Sequence, residues 1–286
     1  METYLRAWWT GLTLVALFNV VLWLAAARWL RQRKSTLPDA IYGSRRVQHA
    51  LAGVYVFVAA FRSVLPRADV QRICLVDSSL SSVFLGRTLA TVAELCFAIQ
   101  WALFLRELAD HTRVASAGAI SRLLVPLIVW AELSSWYAVV TTNFLGNAIE
   151  QSTWTFSGAL IALAYQRVWL HADGELRRFL RSTSAVIGCF LTFMCSVDVP
   201  LYFGRWRADE LAGRTYLHWF AGMSDAAQRW VVVHEWEPWR PEAAWMALYF
   251  SAGVWVSIGL SQAPAPNMQL SLAQPPRAKS APVLDA

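Results

Sequence analysis

The stretch Trp130–Gly158, WAELSSWYAVVTTNFLGNAIEQSTWTFSG, carries one short pattern twice within apolar sequence. The first copy is Glu132-Leu133-Ser134-Ser135-Trp136 and the second is Glu150-Gln151-Ser152-Thr153-Trp154. Each copy lies in a run that reads as a membrane helix, and the two runs are joined by a few polar residues around Asn143 and Asn147. A Glu four residues before a Trp stands on the same helical face, one turn away. An acidic side chain inside a membrane span is costly and faces a bundle interior, a partner or water. The stretch therefore predicts two packed spans and a polar site between them.

Composition extends this reading to the whole chain. Of 286 residues, 57% are hydrophobic and 15% charged, against roughly a quarter charged in soluble domains. Mean hydropathy is +0.39. The 16 tryptophans suit the headgroup level of a bilayer. The net charge of +6 is carried by arginine, since Lys34 and Lys279 are the only lysines. Those arginines flank apolar runs rather than forming a patch, which excludes nucleic acid as the partner and leaves the lipid bilayer.

The predicted fold is an all-α polytopic bundle of about seven spans. They run Ala7–Leu30, Gln48–Leu65, Val83–Leu105, Arg122–Thr142, Asn147–Leu170, Ser184–Phe203 and Glu242–Ser261. The first is read as retained, because its apolar core exceeds a signal peptide's and Arg31, Arg33 and Lys34 follow at once. Positive charge at the odd-numbered turns, after spans one, three and five, places the N-terminus outside and the C-terminus in the cytosol, with Arg205–Arg240 in the last outer loop as the exception. Residues 1–261 form one bundle. Its outer loop, about 205–241, holds an amphipathic helix candidate from Tyr216 to Val233, and 262–286 reads as a disordered cytosolic tail. Which membrane holds the bundle is open between a bacterial inner membrane and an endomembrane.

Placing the charges by depth gives the candidate site. Arg62 and Arg87 fall toward the outer ends of spans two and three, and Glu94 lies two turns deeper than Arg87 on the same face. Glu132, Glu150 and Asp198 also fall in the outer half, with Trp101, Trp136 and Trp154 as walls. These residues predict a pocket open to the outer face whose carboxylates hold a cation or small polar ligand, as in a transporter, channel or sensor. Two alternatives use the same residues: a membrane-embedded, metal-dependent enzyme acting on a lipid, and a structural subunit whose ion pairs only join helices. His218 and His234 flank the outer segment and are the histidines nearest a possible metal site. The sequence leaves the cofactor unknown. Cys74, Cys96, Cys189 and Cys195 form no CxxC, and the last span lacks the lysine a retinal Schiff base needs.

Overall fold

The computed structural model describes residues 1–172 and 174–264. The described residues contain ten α-helices, two 3₁₀ turns, two π-helical turns and three two-residue strands. Six helical segments are long and apolar enough to cross a membrane: 3–35, 39–64, 83–112, 115–141, 174–211 and 240–261. The helix that the sequence reading took as the fifth span, α5 (Phe144–Trp169), is as long as these but more polar, so the count of seven is not reproduced. The expected tail from 265 onward lies outside the described residues.

The bundle is inverted in the manner of a chain solvated by lipid. On α1 (Thr3–Gln32), Leu14, Leu17, Phe18, Val21 and Leu24 are exposed, whereas Asn19 is buried and donates to the Phe250 carbonyl at 2.7 Å. Large apolar groups face outward because hydrocarbon solvates them, and polar groups turn inward to find partners. α2 (Asp39–Val64) packs on α1 and on α3 (Val83–Thr112), which also packs on α4 (Ala115–Thr141). Gln100 bonds both Gln48 and Ser257, joining three helices, with its Nε2 on the Ser257 carbonyl at 3.1 Å. At the opposite end from the candidate site, Arg45 grips Glu107 with two bonds of 2.7 Å.

α4 and α5 form the tightest hairpin. Thr142 adopts φ 59°, strained for a β-branched residue, and Asn143 caps α5 by accepting the Leu145 N–H at 2.9 Å. Gly146 lets the two backbones meet: a Cβ there would run into the Ser134 carbonyl oxygen and Ala138. The repeated Glu motifs are thereby brought onto facing surfaces.

Two continuous rods complete the bundle, and each contains one wide turn. α6 (Gly174–Phe193) runs through a π-helical turn at Met194–Asp198 into α7 (Val199–Leu211). α9 (Arg240–Leu248) runs through a second at Tyr249–Gly253 into α10 (Val254–Ser261). Such turns are frequent at functional sites. The loop between the two rods is less helical than expected. Its amphipathic helix shortens to α8 (Trp219–Gln228), and Val231–Val232 becomes strand β3, parallel to β2 (Ile73–Cys74). β2 also pairs antiparallel with β1 (Arg67–Ala68). Arg72, with φ 59°, bonds Asp225 at 2.8 Å and fastens α8 over this small sheet.

The sheet region holds two groups shifted by burial. Burial, aided by neighbouring Arg62, draws the Arg67 guanidinium down to about 10. Burial pushes the Cys74 thiol up from its ordinary value.

Candidate functional site

α3 presents Arg87, Thr91 and Glu94 on one face, at spacings of four and seven residues. Arg87 stands at the centre of three glutamates from three helices. Its Nη2 donates to Glu132 Oε2 at 2.6 Å and to Glu94 Oε1 at 3.2 Å, and its Nη1 to Glu150 Oε1 at 3.4 Å. Each carboxylate has a further donor. Thr91 Oγ1 bonds Glu132 at 2.6 Å, Asn147 Nδ2 bonds Glu150 at 3.0 Å, and Tyr249 Oη bonds Glu94 at 3.1 Å. One guanidinium facing three carboxylates leaves the cluster short of two positive charges. In a low-dielectric interior that deficit has to be met by protons or by a bound cation. One oxygen from each glutamate lies within 4.8 Å of the others, a geometry that fits a metal ion.

The cluster borders a cavity of about 330 Å³, within the size range of ligand pockets. The cavity is segregated along the bundle axis. Five carboxylates line its charged end (Asp69, Glu94, Glu150, Asp198 and Glu242), against the two guanidiniums of Arg62 and Arg87. The other end is lined by apolar side chains such as Leu124, Ile128, Ile161 and Ile187. Because α3, α5 and α9 run opposite to α4 and α6, residues far apart in sequence share each level.

Asp198 differs from the other carboxylates. It is 4% exposed, its Oδ1 has no hydrogen-bond partner, and no ion pair reaches it among the described residues. Asn147 Oδ1 and Ser157 Oγ, also buried beside the cavity, lack partners as well. Buried polar atoms without partners are rare in folded proteins.

A polar roof closes the charged end. Glu242 accepts from Gln71 at 2.8 Å, Arg205 at 2.7 Å and Trp245 Nε1 at 2.6 Å. The Arg205 guanidinium lies over Phe144 and Tyr202, 5.2 and 5.4 Å from their ring centres. A second hollow, lined by Gln71, Phe144, Arg205 and Asp209, sits beyond this roof. At that end the 65–82 loop, α7 and α9 are joined through Gln71, Arg205 and Glu242.

The structure brings Glu94, Glu132, Glu150 and Arg87 together and sets Asp198, Trp101 and Trp154 around the same cavity. Arg62 stands apart from the triad, 3.7 Å from Asp69 and over the rings of Trp245, Tyr249 and Phe250. Trp136 does not reach the cavity; its Nε1 donates to Thr91 Oγ1 at 3.1 Å and holds that hydroxyl toward Glu132. The histidines are elsewhere: His234 Nε2 sits 3.1 Å from the Leu75 carbonyl, and His218 packs beside Phe220. Sequence reasoning missed Thr91, Asn147, Tyr249, Gln71, Arg205 and Glu242. Glu242 carried a usable signal, a carboxylate at the start of an apolar run, and the others look ordinary in sequence.

Comparison of the chain with protein-family models, with curated proteins and with solved structures returned no match.

Proposed function

We propose that this multi-pass membrane protein binds a cation-bearing small molecule in the cavity between α3, α4, α5 and the two interrupted rods. The observation that carries this reading is the excess of buried carboxylate over guanidinium around the cavity, with Asp198 Oδ1 lacking a hydrogen-bond partner. Evolution of a purely structural network tends to pair each charge, because an unpaired buried carboxylate destabilises the fold. The three glutamates around Arg87 fix the charged end, and Asp198 supplies the free acceptor. Trp154 and Trp101 offer ring faces that attract a cation. Movement of such a ligand past the Gln71–Arg205–Glu242 roof is what a transporter or sensor of this build would regulate. On the charge pattern of the loops, that roof faces the outer side.

The metal-dependent enzyme is the second reading, and the spacing of the glutamate oxygens favours it. Arg87 counts against it, since its guanidinium already bonds all three side chains and would repel a divalent ion.

The test is equilibrium binding to the purified full chain in mild detergent, read by intrinsic tryptophan fluorescence from Trp101, Trp154 and Trp245. Titration with alkylammonium ions gives a saturable change that Asp198→Asn and Glu94→Gln weaken. Absence of any saturable change with alkylammonium ions overturns the reading, and a change produced by divalent metal alone transfers it to the enzyme.

A further inference from the structure

The cavity has a side opening, and its position specifies the ligand more narrowly. Val186 and Cys189 on α6, and Leu248 at the end of α9, line the cavity and are also exposed on the bundle surface. A residue with one flank in a cavity and the other on the outside marks a portal. α6 packs on α5, and α10 packs on α1, α2 and α3, but these two rods make no extended contact with each other. Between them lies a crevice at mid-bundle, where the surroundings are hydrocarbon rather than water. At the charged end the same two rods are fastened by Arg205–Glu242, so the route from the aqueous side is the closed one. Both walls of the crevice contain their π-helical turn at this level, Met194–Asp198 on one side and Tyr249–Gly253 on the other.

Building on the cation-binding reading, we propose that the ligand is a long-chain amine or quaternary-ammonium amphiphile that enters from the bilayer through the crevice between α6 and α9–α10. Its head lies at Asp198, close to Glu150 and beneath Glu242, where carboxylate is in excess. Its chain runs toward Leu124, Ile161 and Ile187. From Glu150 to Ile161 the helical rise gives an apolar slot of roughly 16 Å. An extended chain of about twelve carbons, advancing about 1.25 Å per bond along its zigzag, fills most of that length. A small hydrophilic cation would leave the apolar end of the cavity unfilled, whereas a neutral lipid would leave Asp198 without a charged partner.

The experiment uses the full chain in phosphatidylcholine vesicles with a dodecylamine probe bearing a diazirine at the chain end. Adducts are mapped by mass spectrometry. Labelling concentrates on α6 and on the cavity-lining residues of α4 and α5, is competed by dodecylamine but not by butylamine, and falls about tenfold in Asp198→Asn, the factor for one lost charge-assisted bond. Leu248→Trp, which fills the crevice mouth, slows labelling while leaving thermal stability unchanged. Labelling that follows lipid exposure, as strong on α1 as on α6, overturns the proposal. So does equal labelling by a dodecanol probe, which shows that the head is not read. If butylamine gives the saturable fluorescence change and competes as well as dodecylamine, the chain assignment and side entry fail while the cation-binding reading stands. Absence of both labelling and fluorescence change removes the two together.

Discussion

Replacing Arg87 by Met removes the only guanidinium bonded to three buried glutamates, at nearly constant side-chain volume. Breaking one buried ion pair from one side costs about 3–5 kcal/mol, because the remaining charge stays desolvated. Three pairs are lost here, but the costs do not sum. Thr91, Asn147 and Tyr249 each still donate to one of the glutamates, and the carboxylates can take up protons. The expected loss is therefore about 3–5 kcal/mol in total, carried chiefly by Glu132, whose contact with Arg87 is the shortest of the three at 2.6 Å. At about 2–4 °C per kcal/mol for a chain of this size class, the midpoint in mild detergent falls by about 6–20 °C. Intrinsic tryptophan fluorescence during heating measures it. Adding Glu132→Gln removes one of the stranded charges, so the double variant recovers about half of the loss. A single variant within about 2 °C of the wild type refutes the central role of Arg87, using the same conversion. A double variant as unstable as the two single losses added refutes the coupling.

Other expectations follow from neighbouring contacts. Gly146→Ala drives a methyl group into the Ser134 carbonyl and Ala138, forcing α4 from α5; we expect a loss of about 1–3 kcal/mol and weaker alkylammonium binding, measured by the same melting and titration. Gly253→Ala places a Cβ 2.5 Å from Tyr55 Oη, displacing the ring that packs on Tyr249; crosslinking yield from the long-chain probe should fall even if the midpoint barely moves. Arg205→Ala frees Glu242 and Phe144 from the roof, and a water-soluble alkylammonium ion should then associate faster in stopped-flow fluorescence. For Cys74 the sign follows from its raised value. The folded state keeps the thiol proton that the unfolded chain loses above about 9, so this contribution to stability is present below that pH and declines as pH rises through it. Wild type should therefore lose stability relative to Cys74→Ala on going from neutral to alkaline buffer, and parallel melting curves at all pH values would refute the assignment.

Much of the bundle is legible in the chain because hydrocarbon imposes a one-dimensional rule. A segment either has enough consecutive apolar residues to cross or it does not, and the spans on either side of Arg31–Lys34 and α4 obey it, whereas α5 is long enough but too polar. The charged face of α3 is legible for the same reason, since Arg87 and Glu94 are fixed seven residues apart by helical geometry. The doubled Glu–Trp pattern indicated correctly that α4 and α5 face a shared interior. It assigned both tryptophans to the walls, yet Trp136 turns to Thr91 while Trp154 reaches the cavity, a difference set by helix rotation that identical motifs do not encode.

The sequence by itself determined that acids lie at one depth of a membrane bundle, because depth is counted along each helix separately. Only the tertiary structure decided which acids are paired. Glu132 meets Arg87 across 45 residues, Glu242 meets Arg205 across 37, and Asp198 meets no ion-pair partner among the described residues, though all three are single carboxylates in the sequence. It also decided where the cavity opens. Whether α6 and α10 touch depends on how two rods with wide turns lean against α5 and α2, and that is a property of packing angles, which no single helix carries in its own residues.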